Sequence, residues 1–259
     1  MRRKFCLLKT IFITGATSGF GKAIAEKFAA NSYHLIITGR RKDRLEEATK
    51  NLKQQFNTEV LTLNFDVRKK EEVDDSVATI PGDWKQIDVL VNNAGLASGL
   101  DVINEGKPDD WDQMIDTNVK GLLYTTRAIL PLMVERKQGH IINIGSTAAK
   151  YVYEKGNVYC ASKFAVDALT QAMRIDLLKH NIRVTAIHTG AAETEFSLVR
   201  FKGDEEKAKT VYKGFQPLTA EDIADSVYYC ASLPPHVCIN ELVITPTAQA
   251  NPFYINRNF

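Results

Sequence analysis

The chain has 259 residues, of which 44% are hydrophobic and 25% charged, and its 33 basic side chains nearly balance its 31 acidic ones. A near-neutral chain of this composition is typical of globular proteins and does not indicate a nucleic-acid or membrane partner. Its apolar stretches have the length of strands and fall far short of the roughly 20 residues that cross a bilayer. We interpret residues 1–259 as one α/β domain rather than two small ones.

The chain begins with a basic start and an apolar run, MRRKFCLLKTIFIT, so a signal peptide has to be considered. The run leads directly into the glycine-rich TGATSGFG without a convincing cleavage site, and we predict a short basic leader followed by a first strand. The cysteines at positions 6, 160, 230 and 238 show neither a C-x-x-C pair nor the spacing of metal ligands. This pattern favours reduced thiols, a cytoplasmic location and no metal site.

Seven short apolar runs rich in β-branched residues alternate with segments of helical periodicity. The segment that begins at Thr219 has Asp222 three residues on, as in a capping box, and is followed by two prolines. The alternation predicts a parallel sheet with helices on both of its faces. The predicted strands cover residues 10–14, 34–39, 59–67, 87–95, 139–146, 182–190 and 241–245, and crossover helices cover 21–32 and 42–56.

Residues 191–217 interrupt the alternation as a long, mostly polar insertion after the sixth strand. Long loops in compact domains often cover a site, so we predict a lid over about residues 191–217. For residues 204–212 a solvated surface helix is the simpler interpretation. The tail, about residues 247–259, is apolar enough to predict contact with a neighbouring subunit, with folding back onto its own subunit as the alternative.

The segment TGATSGFG joins the first strand to the first helix and places Gly15, Gly19 and Gly21 at the turn. Glycine lets the backbone approach a ligand closely, and the free N–H groups of the following helix favour a pyrophosphate. The G-x-x-x-G-x-G spacing is related to the G-x-G-x-x-G pattern of dinucleotide-binding turns, although a purely structural turn can carry the same glycines.

The end of the second strand bears on the choice of dinucleotide. Gly39 stands where a carboxylate would bind the ribose of NAD, and Arg40 and Arg41 follow at once. Two guanidinium groups suit a phosphate dianion by charge and by geometry. The sequence therefore favours NADP over NAD, with a solvated basic helix start as the alternative.

Tyr159 and Lys163 lie four residues apart in NVYCASKF, so on a helix both project from one face. A nearby ammonium stabilises a phenolate and moves the pKa of the phenol toward the working range of a general acid and base. Taken alone, the spacing is common, and a partly buried tyrosine beside a solvated lysine is the alternative. Ser146, at the end of the fifth predicted strand, adds a hydroxyl for a substrate oxygen, and Asn118 adds an amide that could hold a water beside Lys163.

Together the glycine loop, the NNAG at 92–95, Asn118, Ser146, Tyr159 and Lys163 resemble the signature of the short-chain dehydrogenase/reductase family. The resemblance implies a Rossmann-type, doubly wound, seven-stranded fold and an NADP-dependent oxidoreductase that forms a homotetramer. It implies that Tyr159 is the acid and base, that Lys163 lowers its pKa and binds the nicotinamide ribose, that Ser146 orients the substrate oxygen and that Asn118 joins a proton relay. The implied cofactor-binding residues are Gly15, Thr17, Ser18, Gly19, Phe20, Gly21, Arg40, Arg41, Asp66, Val67, Asn92, Ala94, Gly95, Tyr159, Lys163, Thr189, Gly190 and Thr194.

The last third of the chain resembles a branch of the family described as NADP-dependent 3-hydroxy acid or serine dehydrogenases. This implies reversible hydride transfer between NADP and the 3-carbon of serine, allo-threonine, 3-hydroxypropionate or a similar acid. Arg200 could bind the substrate carboxylate, beside Ser146 and Tyr159, or pair with an acidic neighbour in the lid. A carbonyl reductase of neutral ketones, sugars, steroids or acyl-type substrates is the nearest alternative, and a non-catalytic NADP-binding scaffold is another.

One position departs from the family pattern. The family usually has Pro-Gly after the sixth strand, whereas this chain has Thr189 before Gly190. Without proline the backbone has more freedom, so a looser loop on the nicotinamide side is expected. The neighbouring His188 is interpreted as a structural histidine at the end of a strand rather than as a catalytic base.

Overall fold

The structure is a computed structural model that describes residues 8–258. The predicted basic leader with Cys6, and Phe259 at the end of the tail, lie outside the described residues. A seven-stranded sheet runs through the chain in the order β3-β2-β1-β4-β5-β6-β7, and every neighbouring pair of strands is parallel. The strands are β1 (Thr10–Ile13), β2 (His34–Gly39), β3 (Val60–Asn64), β4 (Ile87–Asn92), β5 (Gly139–Ile144), β6 (Ile182–Thr189) and β7 (Glu241–Ile244).

The predicted seven-stranded parallel sheet is thereby confirmed, although β3, β4 and β5 end two or three residues earlier than predicted. At the end of β4, Asn93 turns back to bond the Val91 carbonyl, so the NNAG segment forms a loop and not an extension of the strand. At the end of β5, Ser146 caps a short 3-10 turn over Thr147–Ala149. The loops that leave these strands all begin at the carboxyl edge of the sheet, where parallel α/β sheets bind ligands.

Helices cover both faces of the sheet, because each face buries its own apolar cluster. On one face Ile24 and Phe28 of the first helix pack with Val227 of the last one. On the other face Val73 and Ile129 pack against the strands. The helices are α1 (Gly19–Ala30), α2 (Lys42–Phe56), α3 (Lys70–Ala78), α4 (Pro108–Ile115), α5 (Gly121–Arg136), α6 (Asn157–Asp176), α7 (Glu195–Arg200), α8 (Glu205–Thr210) and α9 (Ala220–Ser232).

The helix signals of the sequence have direct structural counterparts. The Thr219 hydroxyl accepts the Asp222 amide proton and the Asp222 carboxylate accepts the Thr219 amide proton, which completes the predicted capping box of α9. The helix predicted within residues 204–212 is α8. None of the helices within residues 8–258 is long and apolar enough to span a membrane.

The tail folds back onto its own chain. The Arg257 guanidinium donates to the Lys213 and Val211 carbonyl oxygens at 2.5 and 3.1 Å and lies 5.0 Å from the centre of the Phe215 ring. The Asn258 amide donates to the Gly214 carbonyl at 2.7 Å. These bonds join the tail to residues 211–215 of the insertion. The structure therefore shows the alternative given above, in which the tail folds back onto its own subunit.

Candidate active site

The glycine loop and the NNAG loop meet at the point where the strand order reverses between β1 and β4. Gly15 has a φ of 68°, in the left-handed region that glycine favours. A Cβ atom on Gly21 would overlap the Gly15 carbonyl oxygen and the Asn93 side chain. The Asn93 amide nitrogen donates to the Thr14 carbonyl at 2.8 Å and so fastens the two loops together. The glycines therefore serve the packing of this turn as well as access to its backbone.

The cleft above these loops has a volume of about 500 Å³ and is lined by residues from every carboxyl-edge loop of the central strands. Three predicted residues do not line it. Gly21 lies in the packing behind the loop, while Asn92 and Asn118 direct their amides into the protein. The predicted residues that do line the cleft are Gly15, Thr17, Ser18, Gly19, Phe20, Arg40, Arg41, Asp66, Val67, Ala94, Gly95, Ser146, Tyr159, Lys163, Thr189, Gly190, Thr194 and Arg200.

Asn92 is a buried structural residue in this chain. Its amide nitrogen donates to the Thr126 hydroxyl and to the Asn143 side-chain oxygen, both at 2.9 Å. The sequence placed Asn92 beside the cofactor because it belongs to NNAG, but the pleat of β4 turns its side chain toward α5. The backbone of the loop that follows, at Ala94 and Gly95, faces the cleft instead.

Asn118 lies in a π-helical turn over Asp116–Lys120, between α4 and α5. Its oxygen accepts the Leu96 amide proton and its nitrogen donates to the Leu96 carbonyl, each at 2.8 Å. The same nitrogen donates to the Ser162 hydroxyl at 3.0 Å. Asn118 thus ties the loop after β4 to α6 beside Lys163, and its part in a proton relay stays a prediction.

Tyr159 and Lys163 occupy one buried face of α6, and the Lys163 ammonium lies 5.9 Å from the centre of the Tyr159 ring. The ammonium donates to the Ile144 carbonyl at 3.0 Å. Burial lowers the pKa of Lys163 to about 8. The same spacing of tyrosine and lysine occurs at Tyr151 and Lys155, but both precede α6, which begins at Asn157.

The pKa of Tyr159 is raised above its usual value, mainly by burial and also by the neighbouring Tyr153. The Ser146 hydroxyl and the Arg200 guanidinium oppose this rise. The sequence led us to expect a lowered pKa, but desolvation of the phenolate outweighs the nearby positive charges in this structure. Ionisation of Tyr159 therefore depends on groups that stabilise the phenolate inside the cleft.

Arg200, near the end of α7, lies against three aromatic rings of the cleft. Its guanidinium is 5.1 Å from the centre of the Tyr159 ring and 5.8 Å from that of Phe196. Its Nη2 donates to the Tyr153 hydroxyl at 2.5 Å. The Arg200 Nε is buried and has no hydrogen-bond partner among the described residues. Within residues 8–258 no carboxylate forms a salt bridge with Arg200, since nearby Asp110 pairs with Lys202 at 2.8 Å.

At the other end of the cleft, Arg41 donates to the Thr17 and Ser18 hydroxyl groups at 3.1 and 3.0 Å. Arg40 lies 4.0 Å from Asp66, which lines the same part of the cleft. Burial opposes ionisation of Asp66, but hydrogen bonds from Arg68 outweigh it and hold the pKa of the Asp66 carboxyl below its usual value. The basic end expected for an NADP phosphate is therefore present, with the Arg41 guanidinium directed toward the glycine loop and that of Arg40 toward Asp66.

His188 supports the loop that carries Ser146. Its Nε2 lies 3.2 Å from an Asp167 oxygen, and its Nδ1 lies 3.3 Å from the Ser146 amide nitrogen and 3.2 Å from the Ser146 carbonyl oxygen. Burial, with a contribution from the Lys150 charge, lowers the pKa of His188. The Lys150 ammonium lies 3.0 Å from Asp167 and 2.8 Å from Glu241, the two carboxylates that with His188 form the one group of possible metal ligands found among the described residues.

Thr189 does not leave the following loop unsupported. The Gly190 amide donates to the Ile244 carbonyl at 2.8 Å, and the Ala191 amide donates to the Gln249 side-chain oxygen at 2.8 Å. The tail thus contributes Gln249 to the cleft. These bonds hold the backbone of Gly190 and Ala191, and a looser loop at Thr189 stays a prediction.

Several site residues were missed by the sequence reasoning. Arg44 follows Arg41 by one helical turn, which is a local signal that could have been used. Arg68 bonds Asp66 only two residues before it, which is also a local signal. Tyr153, Phe196 and Glu195 carry no such signal, because each joins the site through residues far away in the chain. Their positions depend on how the loops converge.

The model of the short chain dehydrogenase family matches residues 9–204. NADP-dependent 3-hydroxy acid dehydrogenase YdfG of Salmonella typhi is 48% identical over 241 residues, which cover 93% of this chain and 96% of the relative. Sulfoacetaldehyde reductase of Chromohalobacter salexigens is 44% identical, with 93% and 94% covered. A solved closed form of serine dehydrogenase complexed with NADP+ is 45% identical and superimposes with a TM-score of 0.90, covering 94% of this chain and 97% of the other.

Proposed function

The chain belongs to the short-chain dehydrogenase family, and from this premise we propose that it is an NADP-dependent oxidoreductase acting on small 3-hydroxy acids. The reaction is reversible hydride transfer between the cofactor and the 3-carbon of a serine-, allo-threonine- or 3-hydroxypropionate-type substrate. The relatives named as NADP-dependent 3-hydroxy acid dehydrogenase, and the solved serine dehydrogenase, support this activity over a reductase of neutral ketones.

The observation that carries the choice of substrate is the half-buried Arg200 side chain beside Tyr159, whose Nε atom is fully buried. Burying an unpaired charge or donor is costly, so a guanidinium with an unsatisfied Nε in a cleft favours an anionic ligand. A planar carboxylate suits a guanidinium fork, and a 3-hydroxy acid keeps its carboxylate within a few bonds of the reacting carbon. A site for neutral ketones would not need a positive charge at this position. Arg200 therefore favours an acid as the substrate.

The residues of the cleft fit the cofactor. The glycine loop offers backbone with no Cβ atoms in the way, Arg40 and Arg41 provide positive charge for the 2′-phosphate, and Asp66 lies toward the adenine end. Thr194 lies over the glycine loop, and Lys163, Thr189 and Gly190 line the same cleft. Bound NADP supplies the hydride acceptor for oxidation and, when reduced, the hydride donor.

The chain's own residues transfer the proton and orient the substrate. In oxidation, the Tyr159 phenolate accepts the proton of the substrate hydroxyl at its oxygen, and in reduction the phenol returns it. Ser146 holds the substrate oxygen next to Tyr159. Lys163 and Arg200 flank the phenolate with positive charge, and Asn118 holds the loop and helix that bring these groups together.

A sulfonate is the second anion that this site suits, because it carries the charge of a carboxylate and accepts the same hydrogen bonds from a guanidinium. The relative named sulfoacetaldehyde reductase makes it a specific candidate. We therefore include sulfoacetaldehyde, in the reducing direction, among the substrates to be tested.

The deciding experiment follows the ultraviolet absorbance of NADPH with a panel of substrates. The panel comprises L-serine, L-allo-threonine, 3-hydroxypropionate and sulfoacetaldehyde, with neutral alcohols and ketones of the same size as controls, each tested with NADP and NAD in the appropriate redox state. Turnover of the acids with NADP at kcat/KM at least about tenfold above the neutral analogues supports the proposal. Equal turnover of the neutral analogues would point to a general carbonyl reductase, and turnover of none of them would favour a binding protein.

We also propose that the protein self-associates as a homotetramer and consists of one domain, with a lid over about 191–217 and a tail over about 247–259. The exposed apolar side chains of Phe164, Ile175 and Leu178 on and after α6, and of Tyr254 in the tail, support an interface. Free thiols at Cys160, Cys230 and Cys238 support the predicted cytoplasmic location. Light scattering of the wild type and of a variant shortened before residue 247 measures the assembly and the contribution of the tail.

A further inference from the structure

Glu195, the first residue of α7, connects the lid to the basic end of the cleft. One of its carboxylate oxygens lies 3.3 Å from Arg41 Nη1 and 3.2 Å from Arg44 Nη1, and the other lies 2.9 Å from Arg44 Nη1. The two hydroxyl groups that also bind Arg41 belong to the glycine loop, at Thr17 and Ser18. An anionic side chain of the lid therefore sits on the guanidinium groups at the predicted phosphate end.

The backbone next to Glu195 fixes this position. Thr194 caps α7 by accepting the Phe196 amide proton at 3.2 Å. A Cβ atom added to Gly19 would lie 3.4 Å from the Thr194 Cβ, so the first turn of α7 lies directly over the glycine loop. The Glu195 carboxylate consequently cannot leave Arg41 without a side-chain rotation or a movement of this turn.

We propose that Glu195 occupies the arginine pair in place of the cofactor's 2′-phosphate and must release Arg41 when that phosphate binds. The inference rests on the proposed NADP dependence and deepens it. A 2′-phosphate dianion and the Glu195 carboxylate cannot share Arg41 without repulsion, because both are negative and both need the same donors. Glu195 thereby weakens the binding of every adenine nucleotide with a 2′-phosphate and leaves nucleotides without it unaffected.

The arrangement also links the choice of cofactor to the lid. Only a ligand with the 2′-phosphate displaces Glu195 from Arg41, so only NADP changes the contacts of the first turn of α7. Arg44 remains available to hold the carboxylate after this exchange, because it bonds both oxygens of Glu195. Both arginines and Glu195 are partly exposed, so the effect is moderate and decreases as salt screens the charges.

The test compares two small nucleotides by isothermal titration calorimetry with the full chain. Adenosine 2′,5′-bisphosphate carries the 2′-phosphate, and adenosine 5′-monophosphate lacks it. Glu195→Gln is expected to bind the bisphosphate about three- to tenfold more tightly than the wild type at low salt, and the monophosphate within about twofold of it. Glu206→Gln, which neutralises an exposed carboxylate of α8 that pairs with Lys209, is the matched control and should bind both ligands as the wild type does.

An unchanged or weakened affinity of Glu195→Gln for the bisphosphate would overturn the inference, and so would an equal gain for both nucleotides. Glu195→Ala provides a second neutral variant, and thermal melting checks that both variants are folded. The cofactor preference is judged separately on the wild type. A wild type that binds the bisphosphate no better than the monophosphate contradicts the proposed NADP dependence, whereas a wild-type preference that Glu195→Gln does not increase contradicts only the role of Glu195.

Discussion

The Arg200 guanidinium lies 5.1 Å from the centre of the Tyr159 ring and bonds the Tyr153 hydroxyl at 2.5 Å. Lys163 approaches the same ring to 5.9 Å, so two cations flank a phenol whose pKa burial raises. A guanidinium in this place can bind the anionic end of a substrate and also stabilise the phenolate. Arg200, the group proposed to bind the substrate, and Tyr159 and Lys163, the groups proposed for acid-base chemistry, are therefore parts of one cluster.

Arg200→Gln is expected to raise KM for 3-hydroxy acids by about 10- to 100-fold, because it removes a charge-assisted hydrogen bond in a partly buried place. Turnover of a neutral alcohol or ketone of the same size should change far less. Steady-state kinetics on both substrate types measures the difference. Lys202→Gln is the control: it removes a positive charge two residues from Arg200 in the chain, from a half-exposed side chain that pairs with the buried Asp110, and it should leave KM unchanged. Equal losses on acidic and neutral substrates would mean that Arg200 acts only through Tyr159.

Tyr159→Phe is expected to lower kcat by about 10²- to 10⁴-fold, the usual contribution of a positioned general acid or base. The fold should be retained, since the ring and its packing against Phe196 remain. Tyr151→Phe is the matched control, because Tyr151 also has a lysine four residues later but is exposed and precedes α6. Similar rates for wild type and Tyr159→Phe would eliminate the mechanism.

Lys163→Met is expected to abolish turnover and yet to raise the free energy of unfolding at pH 7 by about 1–2 kcal/mol. The pKa of Lys163 is about 8 in the folded chain and near its ordinary value when unfolded, so above about pH 8 the unfolded state binds the additional proton. The wild type consequently gains stability from this residue as the pH rises from about 8 toward 10.5, and the advantage of Lys163→Met shrinks over the same range.

Urea unfolding of the Lys163→Met variant at several pH values measures this change. Lys150→Met is its control and should lose stability at pH 7 instead, because it leaves Asp167 and Glu241 without the ammonium that pairs with both. Burial opposes the charge of Lys150, but these two partners outweigh it and raise the pKa of Lys150. A constant difference between wild type and Lys163→Met from pH 7 to pH 10 would show that the ammonium costs nothing in the folded state.

Gly21→Ala is expected to destabilise the chain by about 2–4 kcal/mol and to weaken nucleotide binding, since its Cβ atom would overlap the Gly15 carbonyl oxygen. Thermal unfolding and nucleotide titration measure both effects. Gly82→Ala is the control, because a Cβ atom there meets no atom within 4 Å, and it should be neutral or stabilise the chain by up to about 1 kcal/mol. If Gly21→Ala were as stable as Gly82→Ala, Gly21 would have no role in the packing of the turn.

Short-range rules were enough to predict the strands and the capping box of α9. They also predicted that Tyr159 and Lys163 lie on one face of a helix. Alternating apolar runs place a chain in a parallel sheet, a hydroxyl three residues before a carboxylate starts a helix, and residues four apart share a helix face. The glycine loop was predictable for the same reason. These features depend on neighbours within a few residues.

Short-range rules could not predict the orientation of Asn92, the protein partners of Asn118 or the contacts of Arg200. Asn92 belongs to a motif at the cleft, yet its amide points to Asn143, 51 residues away. Burial raises the pKa of Tyr159 although a lysine stands one turn along the helix, because the cost of desolvation depends on the surrounding elements. Such properties belong to the packed structure.

Local periodicity and glycine positions were sufficient for the sheet, the glycine turn and the placing of Tyr159 and Lys163 on one helix face, since steric rules act along the chain. The tertiary structure alone placed Glu195 on Arg41, 154 residues apart, and Arg200 beside Tyr159 and Tyr153. Parallel strands bring loops from distant parts of the chain to one edge of the sheet, and the charges and hydroxyl groups on those loops become neighbours only there.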